Sequence, residues 1–101
     1  MHAVYVIQND VTKAIYIGYT KNLKARLAQH NAHENKSTNR KLGTWEFAYV
    51  ELYRSEQDAR SREQKLKNHG SGKHELLKRI NRSVLWPQNW GWDEIKRVKP
   101  H

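Results

Sequence analysis

The sequence predicts an α/β chain of the α+β kind, with a small, mostly antiparallel three-stranded sheet flanked by helices in the order ββα-β-αα. Three observations carry that prediction. Two short β-branched and aromatic runs stand near the start with a polar link between them, a longer run alternates in the middle, and three segments carry apolar residues at helical spacing. With 101 residues there is room for one domain and one modest core.

Ala3 to Ile7 is the first strand, Asn9-Asp10 breaks it, and Ala14 to Tyr19 is the second strand of a hairpin. Gly18 stands at its end, where a chain reversal or a close backbone approach is expected. Tyr5 and Tyr16 are directly opposite each other on one face if the hairpin centres on Asp10 and Val11, and a slip of one residue would part them. A helix from about Asn22 to Ala32 follows, capped by Asn22 or Thr20. Leu23 and Leu27 share its inward stripe, and Arg26 and His30 fall on or beside that stripe. The polar, basic stretch 31–43 reads as a loop.

In Trp45 to Tyr53 the residues Trp45, Phe47, Tyr49, Glu51 and Tyr53 share one face, and Ala48, Val50 and Leu52 line the other. That describes a central strand with material on both sides. Ser55 with Asp58 caps a second helix, in which Ala59, Glu63 and Leu66 form one stripe and place a carboxylate toward the core. Asn68 to Gly72 is a breaker, and Lys73 to Arg82 is a third helix with Leu76, Leu77 and Ile80 inward. The domain is expected over 1–82. The remainder, 83–101, is a Trp-rich basic extension that either packs on the domain or is mobile.

Lys and Arg number 19 against 10 Asp and Glu, a formal charge of +9. That surplus on so short a chain points to a polyanionic partner. There is no cysteine, so disulfides, thiolate zinc sites and thiol catalysis are excluded. A zinc site at His30 and His33 lacks further closely spaced ligands. The apolar start is too short for a signal peptide, and no run approaches the roughly 20 apolar residues of a membrane span. No membrane association and a cytoplasmic location are expected.

Ala3-Val4-Tyr5, then Tyr16-Ile17-Gly18, then Arg26 and His30, then Glu63 in its helix stand in an order and spacing that resemble the GIY-YIG nuclease domain over about residues 2 to 80. The likeness is greatest to the small stand-alone bacterial members, which in turn resemble the N-terminal incision domain of the bacterial excision-repair nuclease. Two departures stand out. Ala3 takes the place of a frequent Gly, and no Asn maps onto Gly72-Lys73-His74-Glu75-Leu76 where many family nucleases carry one. Taken singly, the residues have ordinary explanations: strand aromatics, a solvated or phosphate-clamping Arg26, a helix histidine, and a Glu63 paired with Arg60 or Lys67. Their joint occurrence in order outweighs those.

The resemblance implies a metal-dependent endonuclease hydrolysing phosphodiester bonds in nucleic acid, DNA ahead of RNA, in repair, recombination or processing. Tyr5, Tyr16, Arg26, His30 and Glu63 are its expected catalytic residues, one of the tyrosines serving as base. A single carboxylate suits Mg²⁺ or Mn²⁺, so Glu63 is the expected metal ligand. Lys21, Lys24, Lys36, Arg40, Lys41 and Lys73 are expected to contact the nucleic acid. The alternatives are a non-catalytic nucleic-acid-binding module of the same fold, or a protein-interaction domain using Trp86, Trp90 and Trp92, whose ordinary role is to cover the core. A protein partner supplying specificity is compatible with the lack of a second domain.

Overall fold

The computed structural model describes residues 1–32, 43–68 and 70–84. The elements follow the expected order: β1 (His2–Asn9), β2 (Ile15–Thr20), α1 (Leu23–Asn31), β3 (Trp45–Tyr53), α2 (Glu56–Asn68) and α3 (Gly70–Arg79). The sheet is antiparallel in the order β2-β1-β3. β1 is therefore the central strand and β3 an edge, which corrects the expectation that Trp45–Tyr53 is central. Central position is also why β1 is buried along nearly its whole length.

The two faces of the sheet carry separate apolar clusters. Val4, Val6, Ile15 and Ile17 pack under α2 and α3 through Ala59, Leu66, Leu76 and Leu77, and Val84 is buried with them. On the other face Tyr5, Ile7 and Trp45 pack with Tyr16 and with Leu23 and Leu27 of α1. Gly72 allows α3 to cross α2 closely, since a Cβ there would lie 3.1 Å from the Lys65 carbonyl oxygen. The breaker before α3 is shorter than the expected Asn68 to Gly72, because α2 runs to Asn68 and α3 starts at Gly70.

Two details of register depart from the sequence reading. Asn9 closes the hairpin turn: its buried Oδ1 accepts from the backbone N–H of Val11 and Thr12, both at 2.9 Å, and Lys13 adopts φ +64°. The turn thereby centres one residue later than expected, so Tyr5 pairs with Gly18 and Tyr16 with Ile7. Tyr5 and Tyr16 are diagonal neighbours rather than direct opposites, yet they keep one face because the pairing moves by two residues, the side-chain period.

In β3 a bulge separates the Ile7–Phe47 and Val6–Tyr49 pairs, leaving Ala48 extra. The expected single alternation is thus split. Trp45, Phe47 and Val50 lie on the Tyr5 side, whereas Ala48, Tyr49 and Tyr53 pack against the α2–α3 cluster. The split serves Glu51, which accepts from the hydroxyls of Tyr49 and Tyr53 and from Arg62 of α2 at 3.0 Å. Burial alone would push the Glu51 carboxyl up, but hydrogen bonds from Arg62, Tyr53 and Tyr49 outweigh it and hold the group below its ordinary range.

A depressed folded-state pKa contributes stability above the unfolded value, here near 4.5, that is lost as pH falls through the folded value. The expected outcome is a loss of thermal stability on acidification below about pH 5 that is visibly shallower in Glu51→Gln. At neutral pH that variant should be about 1–2 kcal/mol less stable. Melts across the pH range check both.

Candidate active site

The site is built on β2, the sheet edge opposite β3. Gly18 permits it. A Cβ on Gly18 would lie 2.4 Å from the Tyr5 hydroxyl oxygen, so the Tyr5 ring occupies the space a side chain would fill. Of the two uses expected for Gly18, the close approach is the one found; the strand continues to Thr20 without a reversal. Tyr5 is fully buried and bonds His30 Nε2 at 2.8 Å, with ring centroids 5.8 Å apart. Burial first, then the neighbouring Tyr16, push the Tyr5 phenol well above its ordinary value of 10, and the charge and hydrogen bond of Arg26 only partly offset this. The phenol therefore keeps its proton and is tied to His30, with the Arg26 charge nearby.

α1 delivers both partners. Its N-cap is Asn22, whose Oδ1 accepts from the Ala25 N–H at 3.0 Å. Thr20 is not the cap but braces it, its hydroxyl oxygen accepting from Asn22 N–H at 3.0 Å. At the far end Asn31 clamps the helix to β3 by two amide bonds, accepting from Trp45 N–H at 2.7 Å and donating to the Trp45 carbonyl at 3.1 Å. Held at both ends, α1 sets fully buried His30 against Tyr16, at 4.9 Å between ring centroids. Burial, followed by the charge of Arg26, holds His30 below its ordinary 6.5, so it is neutral at pH 7.

α2 approaches the same edge from the other face of the sheet. Glu63 is partly buried, with 18 % side-chain exposure, and its carboxylate meets Lys67 Nζ at 3.1 Å, one helical turn on. Lys67 in turn lies over the Tyr16 ring, 5.3 Å from its centroid. Glu63 and Arg26 both line an open groove of about 480 Å³ between α1 and α2, together with Tyr19, Lys21, Gln29 and Arg60. Arg26 and Glu63 thus line the groove, and Tyr5, Tyr16 and His30 form a ring cluster whose Tyr5 feels both charges.

Among the described residues no group of three or more His, Cys, Asp or Glu side chains is placed to hold a metal ion. A protein cage is therefore absent there, and the donor set suits a cation that takes one carboxylate and draws its other oxygens from water and substrate. Glu63, at the groove rather than in the core, fits such an ion. The two-histidine zinc alternative falls partly on His33, which lies outside the described residues.

Of the expected nucleic-acid contacts, Lys21 lines the groove and Lys24 is exposed on α1. Lys36, Arg40 and Lys41 lie outside the described residues, as do Trp86, Trp90 and Trp92. Lys73 requires correction. It is 2 % exposed and burial pulls its pKa down, so it presents no ammonium to a nucleic-acid backbone. Its place at the close α2–α3 crossing, next to Gly72, is the reason. Tyr19 joins the site without having been singled out; Lys67 and Arg60 were expected only as ion-pair partners of Glu63, and Lys67 makes that pair.

Residues 1–76 match the model of the GIY-YIG catalytic domain. The UPF0213 protein of Natronomonas pharaonis is 33% identical over 76 residues, covering 75% of this chain and 88% of that protein. The UPF0213 protein of Staphylococcus haemolyticus is 32% identical over 66 residues, covering 65% of this chain and 79% of that one. The solution NMR structure of a UPF0213 protein from Bacillus halodurans superposes with a TM-score of 0.49 at 21% identity, over 95% of this chain and 93% of that one.

The Gly18 contact makes a sharp test. Gly18→Ala forces the Tyr5 ring off His30 and should cost about 1–3 kcal/mol, the usual range for overpacking. A chemical-denaturation curve checks the stability, and the His30 ring resonances check the lost hydrogen bond. A variant as stable as the parent with an unshifted His30 would contradict the geometry.

Proposed function

The chain belongs to the GIY-YIG catalytic domain family, a nuclease family, and on that premise we propose that it is a metal-dependent endonuclease hydrolysing phosphodiester bonds in nucleic acid, DNA ahead of RNA. The observation that carries this reading is the meeting of Arg26 and Glu63 in one groove beside the Tyr5–His30–Tyr16 cluster. A guanidinium is permanently charged and binds phosphate as a fork. The carboxylate beside it would repel a phosphate; Lys67 pairs with it in this structure, and a divalent cation would take that place when substrate enters.

The two tyrosines divide the work. Tyr5 is tied to His30 and keeps its proton, with the Arg26 charge nearby. Tyr5 is therefore a buried support of the site. Tyr16 is only partly buried and has the Lys67 ammonium over its ring. We assign the base to Tyr16. A phenol is a weak base in neutral water, so the step draws on the phenolate form. As phenolate, Tyr16 takes a proton from the attacking water while the water oxygen bonds to phosphorus and the bond to the leaving oxygen breaks. Arg26 holds the phosphoryl oxygens, on which charge builds. Mg²⁺ or Mn²⁺ held by Glu63 would neutralise a phosphoryl oxygen and ease departure of the leaving oxygen. The remaining His30 role is to fix Tyr5. With Lys21, Lys24 and the net charge of +9, the surface suits a polyanion.

Two outcomes are expected. Glu63→Gln keeps shape but removes the charge, so plasmid nicking in Mg²⁺ or Mn²⁺ is abolished while folding and gel-shift affinity persist. Arg26→Ala should lose roughly 10²–10³ in rate and also bind more weakly. Undiminished cutting by Glu63→Gln would place the metal elsewhere, and binding without any cutting by the parent chain would leave a nucleic-acid-binding module. Separately, with about six phosphate contacts the affinity for DNA should fall about a thousandfold from 50 to 200 mM salt. A flat salt response would overturn the polyanion reading.

A further inference from the structure

We propose that the groove between α1 and α2 seats one nucleotide next to the bond that is cut, with the Tyr19 ring as platform for its base and Arg60 and Lys21 as cations for its phosphate. The inference rests on the nuclease reading of the Tyr16–Arg26–Glu63 centre and names the part of the substrate that lies beyond it.

The groove is continuous from that centre to Tyr19. At about 480 Å³ it falls within the range of small-ligand sites, and its lining carries the cations Lys21, Arg26 and Arg60 against the single carboxylate of Glu63. An anionic chain with one phosphate on Arg26 has its next unit in the space in front of Tyr19.

Tyr19 is built as a flat surface. Its hydroxyl bonds His2 Nδ1 at 2.7 Å, and the two ring planes are within 12° of each other with centroids 6.0 Å apart. At that separation the near-parallel rings are stacked with a large offset, held by the hydrogen bond. One side of the Tyr19 ring belongs to the core under α2. Above the ring lies the Arg60 guanidinium, 4.3 Å from the centroid, so a flat group already rests where a base would stack. Arg60 is held there weakly. Its side chain is 57% exposed and pairs with an exposed Glu56 at 3.2 Å, a contact that solvent screens. Glu56 is shared with Lys21 at 3.7 Å. A base arriving on Tyr19 displaces Arg60, and a phosphate offers Arg60 and Lys21 a stronger partner than Glu56. Aromatic stacking flanked by mobile cations is how sequence-tolerant nucleic-acid grooves are made.

The test uses the full chain with Glu63→Gln in chelator, so that nothing is cut, and DNA oligonucleotides carrying a single 2-aminopurine moved one position at a time. Quenching is expected to be strong at one position, lost when Tyr19→Leu is added and kept with Tyr19→Phe. In cleavage by the otherwise unaltered chain, an abasic residue at that position should raise KM about 5- to 150-fold with kcat within a few fold, the scale of one lost stacked base. Tyr19→Leu should show the same KM on the intact substrate and no further rise on the abasic one. Equal quenching at all positions, or an abasic penalty that persists undiminished in Tyr19→Leu, overturns the proposal. If Tyr19→Leu fails to fold in a thermal melt, the position scan alone decides. Cutting without a position-specific quench sinks the subsite and spares the nuclease reading. A position-specific quench without any cutting sinks the nuclease reading and leaves the base seat.

Discussion

The hydrogen bond between Tyr5 and His30 is the constraint on which the rest of the arrangement depends. A phenol hydroxyl at the centre of a sheet, buried from water, costs free energy unless it finds a partner, and the partner must be buried as well. Satisfying that one group dictates a bare backbone at Gly18, a helix that brings His30 to within 2.8 Å, and fixed ends for that helix. Asn22 supplies one end and Asn31 the other. Arg26, on the same side of α1 one turn earlier, is then carried to the groove beside Tyr5. A short helix such as α1 is marginal by itself, so these tertiary ties are what hold it.

Much of this was legible in the sequence. The β-branched run at Val4 to Ile7, the alternation of Trp45 to Tyr53 and the Ala59–Leu66 spacing fixed the element types and their order, because period 2 and period 3.6 leave different marks. The errors share one origin. Pairing register, strand position in the sheet and the depth of a lysine are set by contacts between segments distant along the chain, and local pattern carries little of that. Asn9 reads as a breaker, but nothing local announces that its side chain will take two backbone donors and move the turn by one residue. Ala48 looks like any small strand residue, although its bulge turns Tyr49 and Tyr53 to the far side of the sheet. Lys73 looks like a surface cation because lysine almost always is one; only the close α2–α3 crossing buries it.

The candidate site was more legible than the register, for a reason of chemistry. Tyr5, Tyr16, Arg26, His30 and Glu63 were found as a set by resemblance, and the structure groups them despite the displaced turn, since a two-residue shift in pairing preserves face. Tyr19 was not found, and Lys67 and Arg60 were read only as ion-pair partners of Glu63. Each makes sense only across an interface, Lys67 over a strand it does not neighbour in sequence and Arg60 over a ring some forty residues away.

Position on β2 explains why polar chemistry and a small core coexist. A domain of this size cannot spare a buried cavity, because each apolar side chain diverted from the core is a large share of the total. An edge strand avoids the conflict. α1 comes from one face and α2 from the other, so their inner stripes serve two apolar clusters while their rims meet beyond the strand. The side chains at that rim are amphipathic: the rings of Tyr5 and Tyr16 complete a core cluster, Arg26 lines the groove, and the stem of Lys67 carries its charge over the Tyr16 ring to Glu63. The same placement protects the sheet. An unpaired edge is an invitation to another strand, and along β2 it is flanked instead by Lys21, Arg26, Arg60 and Lys67. Charges that repel a second copy of the chain are the ones that attract a phosphate backbone, so a single surface meets both requirements.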